Sequence, residues 1–135
     1  MKVINLEKSI FTNSTMREEL NKYTTQVQIN DLTSEEPKSK REAAKGLIGK
    51  VSDNALNEEL RIVAEIAKRE DLLNRVAKEK KKIDGMTKEG AKKYEKEVAG
   101  YTKATEKATE EIIELAGRRT MSDDELKKRL KRALA

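Results

Sequence analysis

The most constraining feature of this sequence is a repeat in its second half, where apolar side chains recur at alternating steps of three and four residues. Such steps average about 3.5 residues and place their members along one edge of an α-helix, which is typical of a helix that packs lengthwise against another. Only Thr105 breaks the apolar series. The repeat predicts a helix–helix seam made of Ala91, Tyr94, Val98, Tyr101, Thr105, Ala108, Ile112 and Leu115.

A second long helical pattern lies directly before this repeat. Its apolar side chains form a broad stripe between Asn54 and Ile83, and a short connection over residues 84–87 separates the two patterns. Two helices of similar length with so short a connection fold back against each other. The sequence therefore predicts an antiparallel, coiled-coil-like hairpin as the main part of a core over residues 39–117.

Local signals predict where these two helices begin and end. Ser52 or Asp53 is a suitable N-cap for the first helix, and Thr87 starts the second. Gly85 can adopt the left-handed conformation that ends many helices, and Gly117 is placed to end the second helix.

The residue composition favours helices over sheets. Charged residues make up 41% of the chain and hydrophobic residues 36%, with one Phe, three Tyr and no Trp. Few large apolar side chains are then available for a thick sheet core, whereas slender helices with much exposed surface suit this balance. We expect an all-α fold in which shorter helices flank the hairpin.

Residues 1–38 are predicted to be an N-terminal segment with a short helix and a hinge. Residues 1–14 fit a short helix and a short strand about equally well. Thr15 and Glu18 have the spacing of a capping box, which predicts a helix start there, and Pro37 marks a polar linker. Four apolar residues share one face of this helix: Met16, Leu20, Tyr23 and Val27.

Ser39 and Glu42 form a second possible capping box, which predicts that another short helix begins there. This helix contains two glycines, Gly46 and Gly49, separated by Leu and Ile. The spacing does not fit a phosphate-binding loop, and an RNA-binding GxxG loop normally exposes polar residues between its glycines. Close packing of helices at the glycines is the better interpretation.

The C-terminal segment, residues 118–135, is predicted to be a basic amphipathic helix. Ser122 and Glu125 form a capping box, and Met121 can pack against Leu126, so the helix should begin at about Asp123. From residue 117 to residue 135 there are seven basic and three acidic residues, a net charge of +4. An acidic partner or nucleic acid would bind the basic side chains Arg118, Arg119, Lys127, Lys128, Arg129, Lys131 and Arg132.

A second basic run, residues 78–82, ends the first long helix and contains four lysines. Cations at this end of a helix are favoured by the helix dipole. The dipole explains the run, and a binding role for it is the less favoured alternative.

The sequence contains no Cys and no His, which removes the usual zinc, haem, thiol and imidazole sites. Acidic pairs such as Glu110 and Glu114 are best read as surface charge, because the helical di-iron pattern requires His. We therefore predict no catalytic, metal or cofactor site. No apolar run is long enough to cross a membrane, so we expect a cytoplasmic protein without integral membrane association.

Two function classes are consistent with these patterns. The first is a non-enzymatic interaction or assembly protein of scaffold, adaptor, chaperone or inhibitor type, which binds a protein partner or itself through the hairpin. The alternative is a nucleic-acid-binding accessory protein that contacts the phosphate backbone through its C-terminal helix. In composition the chain is similar to small charged helical proteins of phages and mobile elements, which is an analogy only.

Overall fold

A computed structural model describes the backbone of residues 6–135 and the side chains of residues 15–135. Within this part of the chain every regular element is an α-helix, as the composition predicted. The helices are α1 (Leu6–Asp31), α2 (Pro37–Ile48), α3 (Asn54–Asp84), α4 (Lys88–Lys92), α5 (Glu95–Gly117) and α6 (Asp123–Ala133).

Helix α1 is longer than the sequence signals suggested. The predicted helix start at Thr15 is wrong, because α1 already begins at Leu6 and Thr15 lies inside it. The segment 6–14 contains neither Gly nor Pro, so nothing in it stops a helix from propagating through the capping-box motif. The alternatives of helix or strand at the N-terminus are decided from Leu6 onwards, and residues 1–5 lie outside the described residues.

Helix α2 begins at Pro37 and not at the predicted capping box of Ser39 and Glu42. Proline is well suited to the first helical position, since its φ angle is already helical and the missing N–H has no partner there. Pro37 is itself buried, so this residue is part of the packed structure and the linker before it shortens to five residues, 32–36.

Helix α3 has the predicted N-cap: the Asp53 carboxylate accepts hydrogen bonds from the backbone N–H groups of Ala55 at 2.8 Å and Leu56 at 3.1 Å. Its last helical residue is Asp84. The prediction for Gly85 is wrong, because its φ of −79° and ψ of −5° are right-handed helical values. The chain therefore leaves α3 through a right-handed turn.

The second long helix is interrupted near its start. Thr87 accepts a hydrogen bond from the backbone N–H of Gly90, as a cap should, but the helix α4 that follows has only five residues. Lys93 and Tyr94 form a turn before α5, which ends at Gly117 as predicted. Gly90 has a high entropic cost in a helix, which weakens this first stretch. The seam is therefore not carried by one continuous helix.

The hydrophobic core joins the two ends of the chain. Helix α2 packs against α1 and α3, and α6 packs against α1 and α3. Leu47, Leu60 and Leu130 are fully buried. The core cluster consists of Ile29, Leu32, Ala43, Ala44, Leu47, Val51, Leu56, Leu60, Val63, Ala64, Leu126 and Leu130. The apolar stripe of the basic C-terminal helix is thus part of the same core as the first three helices.

Gly46 lies where α1 and α2 approach each other closely. A Cβ atom built at Gly46 would clash with the side-chain amide of Gln28 in α1. This agrees with the packing interpretation at Gly46 and not at Gly49, where a Cβ atom would have nothing within 4 Å. Beside them the Lys50 ammonium donates to Thr25 and Gln28, both at 2.9 Å, and so fastens the end of α2 to α1.

Helix α3 continues well beyond this core and there contacts α5. Arg69 bridges the two helices, with its guanidinium 2.7 Å from the Glu111 carboxylate. Nearer the start of α3, Glu59 forms an ion pair with Arg119, just after the end of α5, at 2.9 Å. The first part of α3 thus lies beside the residues that follow α5.

We expect that replacing Leu130 by Ala destabilises the fold by about 2–5 kcal/mol, because it leaves a cavity in the core. Urea unfolding followed by circular dichroism measures this change. Ile113→Ala is the matched control, since Ile113 is 68% exposed and its truncation should change the free energy of unfolding by less than about 0.5 kcal/mol. Equal midpoints for Leu130→Ala and the parent would mean that α6 is not part of the core.

Candidate interaction surfaces

The most exposed apolar surface in the described part of the chain runs along α1. Four large side chains are exposed there, by 60% at Met16, 64% at Leu20, 65% at Tyr23 and 38% at Val27. They follow one another at steps of four, three and four residues, so they lie on one face of the helix. We call these four residues the α1 stripe.

Another face of α1 holds the helix in the fold. Ile29 is buried in the core, and Thr25 and Gln28 accept hydrogen bonds from Lys50 of the α2–α3 connection. The α1 stripe is therefore on a helix that is anchored at its C-terminal end but has an unpartnered apolar face. Contiguous apolar surface of this kind on a soluble protein marks a contact site.

The seven basic residues predicted to bind an acidic partner fall into two groups. Some already have partners within the protein: Arg118 pairs with Glu114 at 2.6 Å, Arg129 pairs with Glu125 at 2.8 Å, and Lys127 donates to Thr33 of the α1–α2 connection. Arg119 is largely buried and pairs with Glu59 and Asp123. Of these seven residues, Lys128, Lys131 and Arg132 are exposed and form no ion pair within residues 15–135.

Glu59 is the one charged residue that is buried among the described side chains, at 1% exposure. Its carboxylate accepts hydrogen bonds from the Thr120 backbone N–H at 2.5 Å, the Thr120 hydroxyl at 2.8 Å and the Arg119 Nε at 2.9 Å. Three donors therefore replace the water that the carboxylate loses on burial. The network joins α3 to the turn between α5 and α6.

The position of Glu59 in the sequence is itself a signal of burial, which the helix patterns alone do not include. Leu56, Leu60 and Val63 form the buried face of α3, and Glu59 occupies the same face one turn after Leu56. A lone carboxylate on an apolar face indicates a buried, paired charge. No comparable pattern in the sequence identifies its partners, Arg119 and Thr120, which lie 60 and 61 residues later in the chain.

The pKa of Glu59 is set by two opposing effects. Burial by itself would raise the pKa of this carboxyl group, because it disfavours the charged form. The hydrogen bonds from Thr120 and Arg119 favour the ionised form more strongly, and the pKa lies below its usual value. Glu59 is therefore a carboxylate that stabilises the fold as long as it stays ionised.

The predicted seam residues differ in how far they are buried. Ala108 is fully buried against α3, whereas Tyr94 and Thr105 are exposed. Tyr94 lies in the turn between α4 and α5, so the interrupted helix explains its position. The remaining members are half-buried: Ala91, Val98, Tyr101, Ile112 and Leu115.

Small residues on α5 leave a groove beside α3. Ala104 and Ala108 form part of its wall, together with Leu72 of α3.

In residues 15–135 no group of three or more acidic side chains is arranged to hold a metal ion. None of the described helices is long and apolar enough to cross a membrane.

Comparison with known proteins adds no relative to this picture. No protein-family model, curated protein or solved structure matches the chain.

We expect Glu59→Gln to lower the free energy of unfolding by about 3 kcal/mol at neutral pH, because it removes the buried partner of Arg119, which then keeps only the more exposed Asp123. The folded-state pKa of Glu59 lies below that of the unfolded chain, about 4.3. The stabilisation from its charge is therefore complete above the unfolded pKa and is lost as the pH falls through the folded pKa. The difference between parent and variant should shrink on acidification, which urea unfolding at a series of pH values measures.

Glu58→Gln is the control for this experiment. Glu58 is the adjacent residue, its side chain is 64% exposed, and it pairs with Arg61 across the surface at 3.4 Å. Exposed pairs of this type contribute about 0–1 kcal/mol. A gap between parent and Glu59→Gln that stayed constant with pH would contradict a role for the Glu59 charge.

Proposed function

We propose that this chain is a non-enzymatic helical interaction protein, of scaffold, adaptor, chaperone or inhibitor type, which assembles by pairing α1 with α1 of a second copy. The observation that carries the proposal is the α1 stripe of Met16, Leu20, Tyr23 and Val27. The apolar side chains of α2, α3 and α6 are buried in the core, and an apolar face of this length left exposed on α1 favours a partner.

The spacing of the stripe favours another helix as its partner. Steps of four, three and four residues are those of a coiled-coil heptad, in which apolar side chains of one helix insert between those of the next. A second α1 presents the same side chains at the same spacing. Self-association is therefore the simplest way to cover the stripe.

Charges beside the stripe are compatible with two copies side by side. The positions that flank it in a heptad are Arg17, Glu19, Thr24 and Gln26. One positive and one negative side chain with two neutral ones give no net repulsion between copies. An anionic membrane is a poorer fit, because membrane-surface helices carry mainly basic residues on their polar face, and α1 has Glu18 and Glu19 there.

The size of the stripe sets the strength of the expected dimer. Side chains of this size offer about 150–250 Å² each when fully exposed, so the four together present roughly 400 Å². A standard interface buries about 800 Å² per partner. We therefore infer a reversible dimer of about micromolar affinity rather than an obligate one.

The scaffold behind this surface is proposed to be the antiparallel, coiled-coil-like hairpin of α3 and α5. The ion pairs Arg69–Glu111 and Glu59–Arg119 support it. Of the two α3 residues, Arg69 comes later in α3 but pairs with the residue that comes earlier in the second half of the chain, as antiparallel helices require. Exposed apolar side chains on this pair, such as Leu72 and Ile113, are isolated from one another. For this reason we assign the assembly contact to α1 and a supporting role to the hairpin.

A second candidate function is binding to the phosphate backbone of nucleic acid. The observation in its favour is the chain's net charge of +5, together with exposed cations at the C-terminal helix that have no ion pair within residues 15–135, namely Lys128, Lys131 and Arg132. Cations without intramolecular partners are free to neutralise phosphates.

We expect Leu20→Glu to weaken the dimer at least about tenfold, since it places two charges in the seam between copies. Sedimentation equilibrium over a range of protein concentrations measures the monomer–dimer constant. Because the contact is apolar, the parent dimer should persist in high salt.

Ile113→Glu is the matched control, because Ile113 is equally exposed but lies on α5. It should leave the dimer constant unchanged, and both variants should keep the helical content of the parent. A parent chain that sediments as a monomer at all concentrations, or a dimer that Ile113→Glu disrupts and Leu20→Glu does not, would refute pairing through α1.

A further inference from the structure

A second long stretch of positive charge lies in the middle of the chain, away from the C-terminus. Residues 75–93 contain eight basic and three acidic side chains, a net charge of +5 in nineteen residues. The C-terminal stretch of the same length, residues 117–135, has a net charge of +4. The two regions are therefore comparable in charge, and ion pairing distinguishes them.

Ion pairs neutralise less of the charge in residues 75–93 than in the C-terminal stretch. Arg75 pairs with Asp71 at 2.6 Å and Lys82 pairs with Glu79 at 3.3 Å. Within residues 15–135 the other six basic side chains have no ion pair, against four in the C-terminal stretch, of which Lys127 donates a hydrogen bond to Thr33. These six are Lys78, Lys80, Lys81, Lys88, Lys92 and Lys93.

The cations at the end of α3 are aligned along one side of the helix. An open groove of about 520 Å³ is lined by Arg75, Lys78, Glu79, Lys81 and Lys82, and every one of its lining residues is charged. Four of the five are positive. The apolar surface of this groove consists of the aliphatic stems of these side chains, and their charged ends can contact an ionic ligand.

A second groove of about 360 Å³ continues this surface towards the core and shares Arg75 with the first. Its wall includes Arg41 of α2, Lys68 of α3 and Lys107 of α5, which form no ion pair among residues 15–135. Its two carboxylates, Asp71 and Glu111, are already paired with Arg75 and Arg69. From Lys68 to Lys82 the surface extends about 21 Å along α3, at ~1.5 Å per residue. We call these cations, from Arg41 to Lys82, the α3 cationic track.

The helix dipole explains only part of this track. Its effect is limited to the last turn of a helix, which accounts for Lys81 and Lys82. It does not account for Lys68 or Arg75, two and more turns earlier, or for Lys107 on the neighbouring helix. Cations drawn from three helices onto one continuous surface indicate a ligand with many negative charges.

We propose that the α3 cationic track binds the phosphate backbone of double-stranded nucleic acid without reading its sequence. A duplex presents a negative charge every ~1.7 Å along its axis, so a straight row of cations of ~21 Å meets many phosphates at once. The groove at the end of α3 contains no aromatic side chain to stack on bases and no amide side chain to read them. Contacts to the phosphate backbone fix the position of a protein on the duplex but do not distinguish one base sequence from another.

A membrane surface is a poorer fit to the same track. Binding to an anionic bilayer requires apolar side chains beside the cations, so that they enter the headgroup region. The groove at the end of α3 has none. This inference deepens the second candidate function by assigning nucleic-acid binding to α3 in place of the C-terminal helix, and it rests on that function.

The test compares two triple substitutions that remove the same charge. Lys78→Gln, Lys81→Gln and Lys82→Gln together remove three charges from the end of the track, and Lys128→Gln, Lys131→Gln and Arg132→Gln together remove the three exposed, unpaired charges of α6. Fluorescence anisotropy with a labelled DNA duplex of unrelated sequence measures binding over a series of salt concentrations. Circular dichroism and thermal melting confirm that both variants are folded.

We expect the α3 variant to bind at least about tenfold more weakly in low-salt buffer and the α6 variant to bind within about twofold of the parent. The slope of log K against log salt concentration should become about 3 less negative for the α3 variant, because each phosphate contact contributes about 0.9. A second duplex of different sequence should give the same constants.

Three results would overturn the inference in distinguishable ways. A parent that binds no duplex at low salt removes the nucleic-acid function altogether. A loss confined to the α6 variant, or equal in both variants, keeps that function but removes its location on α3. Binding to phosphatidylserine vesicles without binding to DNA would instead show that the ligand is a membrane surface.

Discussion

The architecture of this protein depends on one buried carboxylate. Glu59 replaces its lost water with three hydrogen bonds from Thr120 and Arg119, which hold the turn after α5 against the first part of α3. Since α6 begins three residues after Thr120, this turn directs Leu126 and Leu130 into the core. A charge that is fully buried and fully paired fixes geometry more tightly than apolar contact alone, because any displacement leaves a polar group without a partner.

Two unlike surfaces result from this arrangement. The core is built where α1, α2, the first half of α3 and α6 meet, and the rest of α3 has only α5 as a neighbour among the main helix contacts. Two paired helices bury only part of each other's surface. The part of α3 beyond the core therefore keeps a solvent-exposed surface rich in lysine. At the other end, α1 uses Ile29 and Leu32 for the core and leaves Leu20 and Tyr23 uncovered. One apolar and one cationic surface are thus carried by different helices.

Helix boundaries were predictable wherever a side chain bonds to the backbone a few residues away. Asp53, Thr87 and Ser122 cap their helices as the sequence indicated, because each hydrogen bond depends only on local geometry. The same motif failed at Thr15, where an upstream helix continues through it. The sequence predicts a polar linker at Pro37, yet a proline at the first helical position stabilises a helix start. A capping motif shows that a helix can begin at a position, and the residues before it decide whether the helix begins there or has already started.

The sequence by itself determined the all-helical class, most of the helix ends and the apolar faces, since these follow from spacing and from bonds over three or four residues. The sequence also shows where the charged residues lie along the chain, but not which of them form ion pairs. Only the tertiary structure decided that Glu59 meets Arg119 across 60 residues, that α6 packs its leucines into the core, and that within residues 15–135 Lys78, Lys80 and Lys81 of α3 form no ion pair whereas Lys82 pairs with Glu79. Pairing of distant side chains depends on how the helices are arranged in space, and the periodicity of each helix contains no information about its neighbours.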